Sequence, residues 1–321
     1  MPRTRLIALA ALGVMGGMVG AVPPANSTST AGPTLFTNAA AITIPDSGQA
    51  TPYPSTIEVS GLTTAITDLD VVLTGYSHTC PFDVAVLVVA PSGQQSLLMA
   101  DLGPGSGCPA ATGANLTFDD AAAGPVPYPP TTGTWKPTDG QPATGNTFTA
   151  PAPGGDTHPT SLAAFNGLVG NGTWSVYALD ENPGDTGAIS GGWSLSITTA
   201  PDLDGDGVED ATDQCPSLQS FGGNGCPTRD RSLTLRAGSS PKRVVGRLYA
   251  AGYPALYGGR TVKIWKVRPG PDRKIATRVT FSPGTFRVRV ANGRYYATSA
   301  ALVVASAGQC TFDKSPVVRV R

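Results

Sequence analysis

Glycine and proline set the first limit on this chain. With 40 Gly and 30 Pro among 321 residues, no 15-residue window beyond the N-terminus both lacks these residues and keeps a 3.6-residue apolar period. An amphipathic helix needs such a window, so a helical bundle is excluded. The glycines follow no three-residue repeat, which excludes a collagen-like chain. Hydrophobic residues make up 40% of the chain, enough to build cores, and many sit in short Val/Ile/Thr runs between turn residues. That pattern predicts an all-β protein. The length points to more than one domain.

The first residues predict export. Arg3 and Arg5 precede an apolar run from Leu6 to Val19, and Gly20, Ala21, Ala25 and Ser27 follow. Basic, apolar and small-residue regions in this order form a secretory signal, here assigned to residues 1–27. The run is short and broken by glycine, unlike a membrane-spanning helix. No second long apolar run occurs, so no transmembrane anchor is expected and the protein is read as secreted and extracellular.

Lys and Arg total 22 and Asp and Glu total 22, yet position separates the signs. Residues 28–227 hold 19 acids and one base, Lys136, whereas residues 228–321 hold 19 bases and three acids, Asp230, Asp272 and Asp313. An asymmetry of this size places a domain boundary near residue 228.

Within 32–200, strands are expected at 57–62, 66–76, 82–91, 96–101, 115–120, 173–180 and 191–198, arranged as an antiparallel sandwich. The Pro, Thr and Gly-rich stretch 124–160 reads as a surface excursion. Trp174 and Trp193 lie on strands and read as core. Asp180, Glu181 and Asp185 bracket an Asn-Pro-Gly turn and read first as turn formers; the other reading is a cation held between the last two strands. Cys80 and Cys108 flank two strands and form a plausible disulfide in an exported chain.

Several stretches of this segment resemble the proprotein convertase P domain: ITIPDSG (42–48), DVAVLVVAPSG (83–93), GTWKPTDG (133–140) and SLAAFNGLVGNGTWSVYALDENPGDTGAISGGWSLSIT (161–198). Phe165-Asn-Gly167, Gly172-Thr-Trp174, Asp180, the GDTG at 184–187, Trp193 and Leu195 carry the likeness. The resemblance implies a jelly-roll β-sandwich of about eight strands. In that family the module accompanies a subtilisin-like protease and stabilises it, which makes an extracellular protease a candidate partner. The protease itself is not expected here. A serine protease needs a nucleophile, a base and an orienting carboxylate. The two histidines, His78 and His158, read as surface or turn residues, and no G-x-S-x-G elbow occurs. The chain is therefore read as non-catalytic.

The sharpest chemical signal lies at 202–215. Asp202, Asp204, Asp206, Asp210 and Asp213 occupy relative positions 1, 3, 5, 9 and 12, with Gly207 at the sharp turn and Val208 offering a backbone carbonyl from position 7. Oxygen ligands at this spacing suit calcium, which takes six to eight of them. An EF-hand is not indicated, because Gln-Cys-Pro follows at once and no flanking amphipathic helix is visible. The pattern D-x-D-x-D-G-x-x-D-x-x-D-x-C resembles a thrombospondin type 3 repeat. Residues 201–227 thus form a calcium-binding linker, with Cys215 and Cys226 closing the loop behind the site. Calcium is expected to order it and to fix the angle between its neighbours.

Residues 228–321 predict a second, smaller Ig-like or transthyretin-like sandwich of about seven strands. Phe286, Val288 and Val290 face one way and Arg287 and Arg289 the other; Val318 and Val320 likewise oppose Arg319 and Arg321. A sheet face carrying several arginines attracts polyanions. The expected partner is an anionic surface polymer or polysaccharide, with the acidic module of the same chain as the intramolecular alternative, and no specific nucleic acid. Cys310 is left over after two local pairs and reads as free, buried or intermolecular. Adhesion or binding outside the cell is the leading functional expectation. The other is an accessory role toward a separate subtilisin-like protease.

Overall fold

The computed structural model describes residues 32–104, 107–143, 145–238 and 242–321. The signal assigned to residues 1–27 lies outside the described residues. The described chain is all-β, with three short 3-10 turns and no α-helix. Among the described residues, no helix is long and apolar enough to cross a membrane.

Residues 34–199 form two sheets of seven and six strands. The long strand Ile66–His78 organises the first sheet, pairing with Trp193–Thr199, Gly187–Ile189 and Ala111–Phe118. The strand Gly172–Asp180 organises the second, pairing with Val84–Val89, Ser55–Val59 and Gly48–Gln49. Successive strands pass repeatedly from one sheet to the other, as a jelly-roll wrap requires. Val71 and Leu73 of the first sheet share one core with Val86, Val88, Trp174 and Val176 of the second. Both tryptophans are fully buried; Trp174 Nε1 donates to the Gly170 carbonyl at 2.8 Å and Trp193 Nε1 to Ser55 Oγ at 3.0 Å.

Three expectations need correction. The sandwich is not wholly antiparallel, because Gly133–Trp135 and Thr138–Asp139 pair in parallel with Ala111–Phe118 and Gln95–Ala100. The stretch 124–160 is not a mere surface excursion either. Its second half lies on the outer face of the six-stranded sheet, where Phe148 and Ala152 pack against Leu87, Leu97, Tyr177 and Leu179. The cause is the strand VAVLVV at 84–89, which is apolar on both faces and buried throughout; such a strand needs cover on both sides. Finally, neither histidine is a surface residue. His158 is buried beneath the same excursion, its Nε2 3.0 Å from the Asn146 carbonyl. His78 lies at the end of its strand with Nε2 3.0 Å from Asp180 Oδ2, both side chains fully buried.

Residues 232–320 form a second sandwich. A three-stranded sheet, Ser232–Gly238, Arg243–Tyr249 and Thr285–Arg289, faces a five-stranded one built on Thr261–Lys266 and Gly293–Ser299. Leu235, Val244, Leu248, Phe286 and Val288 meet Val262, Ile264, Tyr295, Ala297 and Val320 between them. After the strand Gly293–Ser299 the chain turns, and a separate hairpin, Leu302–Val304 with Gly308–Cys310, follows. Eight strands and a hairpin thus replace the seven expected. Cys310 is free and buried beside Ala250, Leu256 and Ala307, and burial pushes its thiol pKa up.

Candidate metal centre

Between the sandwiches, residues 200–231 carry turns and bends and no strand. No apolar periodicity is available there, so backbone polar groups are satisfied by the aspartates. Asp202 Oδ1 accepts from the Gly205 amide at 2.9 Å and Oδ2 from the Gly207 amide at 3.0 Å. Gly207 has φ +89°, a left-handed conformation that side chains resist, as the sharp turn at position 6 demands. Asp206, buried, accepts from Val208 N at 2.9 Å and from Ser220 N at 3.0 Å. Asp210 Oδ1 accepts from Leu203 N at 2.9 Å and Asp213 Oδ1 from Cys215 N at 2.6 Å. These bonds orient four of the five carboxylates within a loop only about a dozen residues long.

The loop brings three of the six expected ligands together. Carboxylate oxygens of Asp202, Asp204 and Asp206 lie within 4.8 Å of one another. Asp204 stands apart in one respect: both of its oxygens are buried and have no hydrogen-bond partner, and Asp213 Oδ2 is in the same condition. Burial, and then repulsion by Asp206 and Asp213, raises the Asp204 pKa against a weaker lowering pull from the Asp206 amide, which makes no well-aligned bond to it. Buried unpartnered carboxylate oxygens are costly, and a hard cation with all-oxygen coordination removes that cost. The donor set fits calcium in kind. Asp210 and Asp213 lie outside the three-carboxylate group, and Val208 meets the site through its amide, which donates to Asp206.

The structure ties this loop to the basic module. Cys215 pairs with Cys226 and, in the first sandwich, Cys80 with Cys108. Gln309 Nε2 donates to the Cys226 carbonyl at 2.9 Å and its backbone amide to the Pro227 carbonyl at 2.9 Å, while Arg229 N donates to the Gln309 carbonyl at 2.7 Å. Arg231 adds an ion pair to Asp313 at 2.6 Å and bonds to the Ala300 and Thr311 carbonyls. Sequence reading missed Ser220, Asn224 and Gln309 as supports of the site. Ser220 and Asn224 lie inside or beside the disulfide-closed segment and were within reach; Gln309, about 85 residues on in the chain, carries no local signal.

The other acidic candidates belong to the first sandwich. Asp180 Oδ1 accepts from Asn182 N at 3.0 Å, a turn-forming contact, and its second oxygen faces His78. Asn182 Nδ2 donates to Asp83 Oδ1 at 2.8 Å, and Gly184 N to Asp46 Oδ1 at 2.5 Å. Glu181 has its pKa raised to about 7 by burial and by Asp101, Asp83, Asp139 and Asp180. Asp185 joins no group of three potential ligands among the described residues. No protein-family model matches the chain, and no curated protein matches it.

Proposed function

We propose that this chain is an exported, non-catalytic binding protein in which calcium orders the segment joining an acidic and a basic β-sandwich. One observation carries the reading: Asp202, Asp204 and Asp206 converge while both oxygens of Asp204 stay buried without a partner. Calcium would be held by these three carboxylates, with Asp210, Asp213 and the Val208 carbonyl completing the set named from the sequence. It supplies charge neutralisation and rigidity, not a reaction. Two disulfides support an oxidising, extracellular setting. The basic module supplies the binding arm, toward an anionic surface polymer or polysaccharide, and the ordered linker holds it against the first sandwich for adhesion.

Calorimetric titration of the whole chain, first stripped with chelator, tests this. Calcium binding with a dissociation constant of about 10⁻⁴–10⁻³ M is expected, as for extracellular modules, and Asp204→Asn is expected to abolish it. Absence of heat at millimolar calcium sinks the reading. A second reading, an accessory that stabilises or targets a subtilisin-like protease, is favoured by the stretches that resemble the P domain. Phe165 and Trp174, from two of its motifs, pack with ring centroids 5.0 Å apart in one core. Co-purification with an extracellular protease whose heat inactivation slows on adding this chain would select it.

A further inference from the structure

The basic module carries 19 cations and three acids, and among its described residues Arg231 alone enters an ion pair. The remaining cations are not spread evenly. In the three-stranded sheet, Gly238 lies opposite Arg243 and Arg243 opposite Arg289; Arg236, Val245 and Arg287 form the next rung, and Thr234, Arg247 and Thr285 the third. The residues between these positions, Leu235, Val244, Leu248, Phe286 and Val288, are in the core. Strand alternation therefore sends all three rungs to the outer face. Five arginines and no acid occupy nine positions.

Arg278, from the strand Arg273–Val279, joins Arg243, Arg287 and Arg289 around a cleft of about 510 Å³. A second cleft, about 300 Å³, lies over Arg236, Val245 and Arg247. Like charges placed directly opposite on neighbouring strands destabilise a sheet, and Arg243 and Arg289 are so placed. An independent observation marks the same spot. Arg243 Nε is buried and has no hydrogen-bond partner. Its side chain lies across Gly238, where a Cβ would come within 2.9 Å of Arg243 Cγ and 3.0 Å of Nε. Glycine at 238 leaves room for that guanidinium to lie along the sheet.

We infer that this face binds a linear polymer bearing phosphate groups, anchored by Arg243, Arg287 and Arg289. The inference deepens the reading of the basic module as a polyanion-binding arm and rests on it, though not on calcium. Guanidinium forks pair with phosphate through two parallel hydrogen bonds. Phosphate oxygens point in tetrahedral directions, so one group can accept from arginines on two adjacent strands, whereas a carboxylate's acceptor sites all lie in one plane. Successive arginines on one strand, such as Arg287 and Arg289, stand about 6.5–7 Å apart, and adjacent strands about 4.8 Å. A polymer charged at each repeat engages several rungs at once, which a free phosphate ion cannot. No aromatic residue occupies the nine positions. Tyr249, one rung further, has its ring against Arg247 at 4.3 Å and against Tyr257. Exposed Phe281 borders the face beside Val245, Thr285 and Arg287 as a single ring, whereas binding through bases uses a series of stacking platforms. The backbone phosphates are the recognised feature.

Fluorescence anisotropy of labelled linear polyphosphate, titrated with the full chain at about 0.15 M salt, tests the inference. The wild type is expected to bind, and Arg243→Ala/Arg287→Ala/Arg289→Ala to lose at least tenfold in affinity. The triple Lys version keeps the charge and loses the forks, with an expected loss of several-fold. Lys263→Ala/Lys274→Ala/Arg319→Ala, which removes equal charge from the five-stranded sheet, is expected to lose less than threefold. An unaltered melting transition establishes that each variant is folded. Equal loss in the two alanine triples overturns the site, as does full binding by the lysine triple or equal affinity for polyglutamate. Base-dependent binding of single-stranded DNA tighter than polyphosphate overturns the phosphate-backbone reading. Self-association that polyphosphate does not reverse assigns the face to a second copy's acidic module and overturns it too. Calcium titration of the same samples separates the outcomes: intact calcium binding without polyphosphate binding defeats this inference alone.

Discussion

Replacing Asp204 by Asn removes one charge at nearly constant volume, and its effect should change with calcium. Oxygens of Asp202, Asp204 and Asp206 lie within 4.8 Å of one another. At that separation two unit charges repel by about 0.9 kcal/mol in a water-like dielectric and about 3.5 kcal/mol at an effective constant of 20. Asp202 and Asp204 keep partial exposure as residues although the Asp204 oxygens are covered, so the lower figure is taken as the floor. Asp204 takes part in two of the three pairs, and its neutralisation relieves about 2 kcal/mol when no cation is bound. With calcium the balance shifts. A dissociation constant of about 10⁻⁴–10⁻³ M gives the wild type about 1.4–2.7 kcal/mol at 10 mM calcium, and the variant gains almost none. The variant is therefore expected to be the more stable in chelator and to lose that advantage in calcium. Gln309 ties the loop to the basic module, so urea unfolding of that module, followed by Trp265 fluorescence, reports the change. A variant less stable than wild type in chelator, or an equal calcium shift in both proteins, refutes the reasoning.

Three further outcomes are expected. Asp180→Ala strands His78, whose Nε2 lies 3.0 Å from Asp180 Oδ2 in a fully buried setting, and should cost about 1–3 kcal/mol by calorimetry, the cost of leaving a buried polar group without its neighbour; a loss below about 1 kcal/mol would contradict the pairing. Phe148→Ala empties the apolar contact beneath the 145–160 stretch; it should cost about 3 kcal/mol and open that stretch to limited proteolysis, and an unchanged digestion pattern would refute the docking. Asp70 has its pKa raised to about 6, first by burial and then by Asp119 and Asp68. Its stabilising share is present below the ordinary carboxylate value and lost as pH rises through 6, so above pH 6 the ionised group opposes folding. Asp70→Asn should then stabilise by about 1 kcal/mol at pH 7.5, after allowance for solvent screening, and do nothing at pH 3.5. A gain that is the same at both pH values would contradict this.

Much of the fold was legible because strands announce themselves locally. Ile57 and Val59, or Trp174, Val176 and Ala178, alternate with residues that face away, and the observed strands Ser55–Val59 and Gly172–Asp180 follow those runs. The short strands at 34–38, 133–135 and 138–139 were not legible, since two to five residues carry little period and their pairing depends on distant neighbours. The VAVLVV run reads only as a strand; that it is buried on both faces, and which segment supplies the outer cover, was not readable from Pro-rich composition. Histidines were misplaced for the same reason. His78 and His158 sit beside turn residues in sequence, and only the return of Gly172–Asp180 and of the 145–158 segment buries them.

For the candidate metal centre, spacing alone placed Asp202, Asp204 and Asp206 together, because a loop this short leaves them few other arrangements. Which of its carboxylate oxygens go unpartnered depends on amides that compete for them, among them Ser220 N from across the disulfide-closed segment. The basic face divides in the same way. Alternation in TFRVRV exposed Arg287 and Arg289 to view from the sequence. Their alignment with Arg243, and through Val245 with Arg236, came only from sheet register, because cross-strand neighbours are set by pairing and not by position along the chain. The sequence by itself determined an all-β chain with opposed charges on either side of an acidic loop. Tertiary structure alone decided where those charges gather, since a polar surface residue contributes no local pattern beyond the direction in which its strand points it.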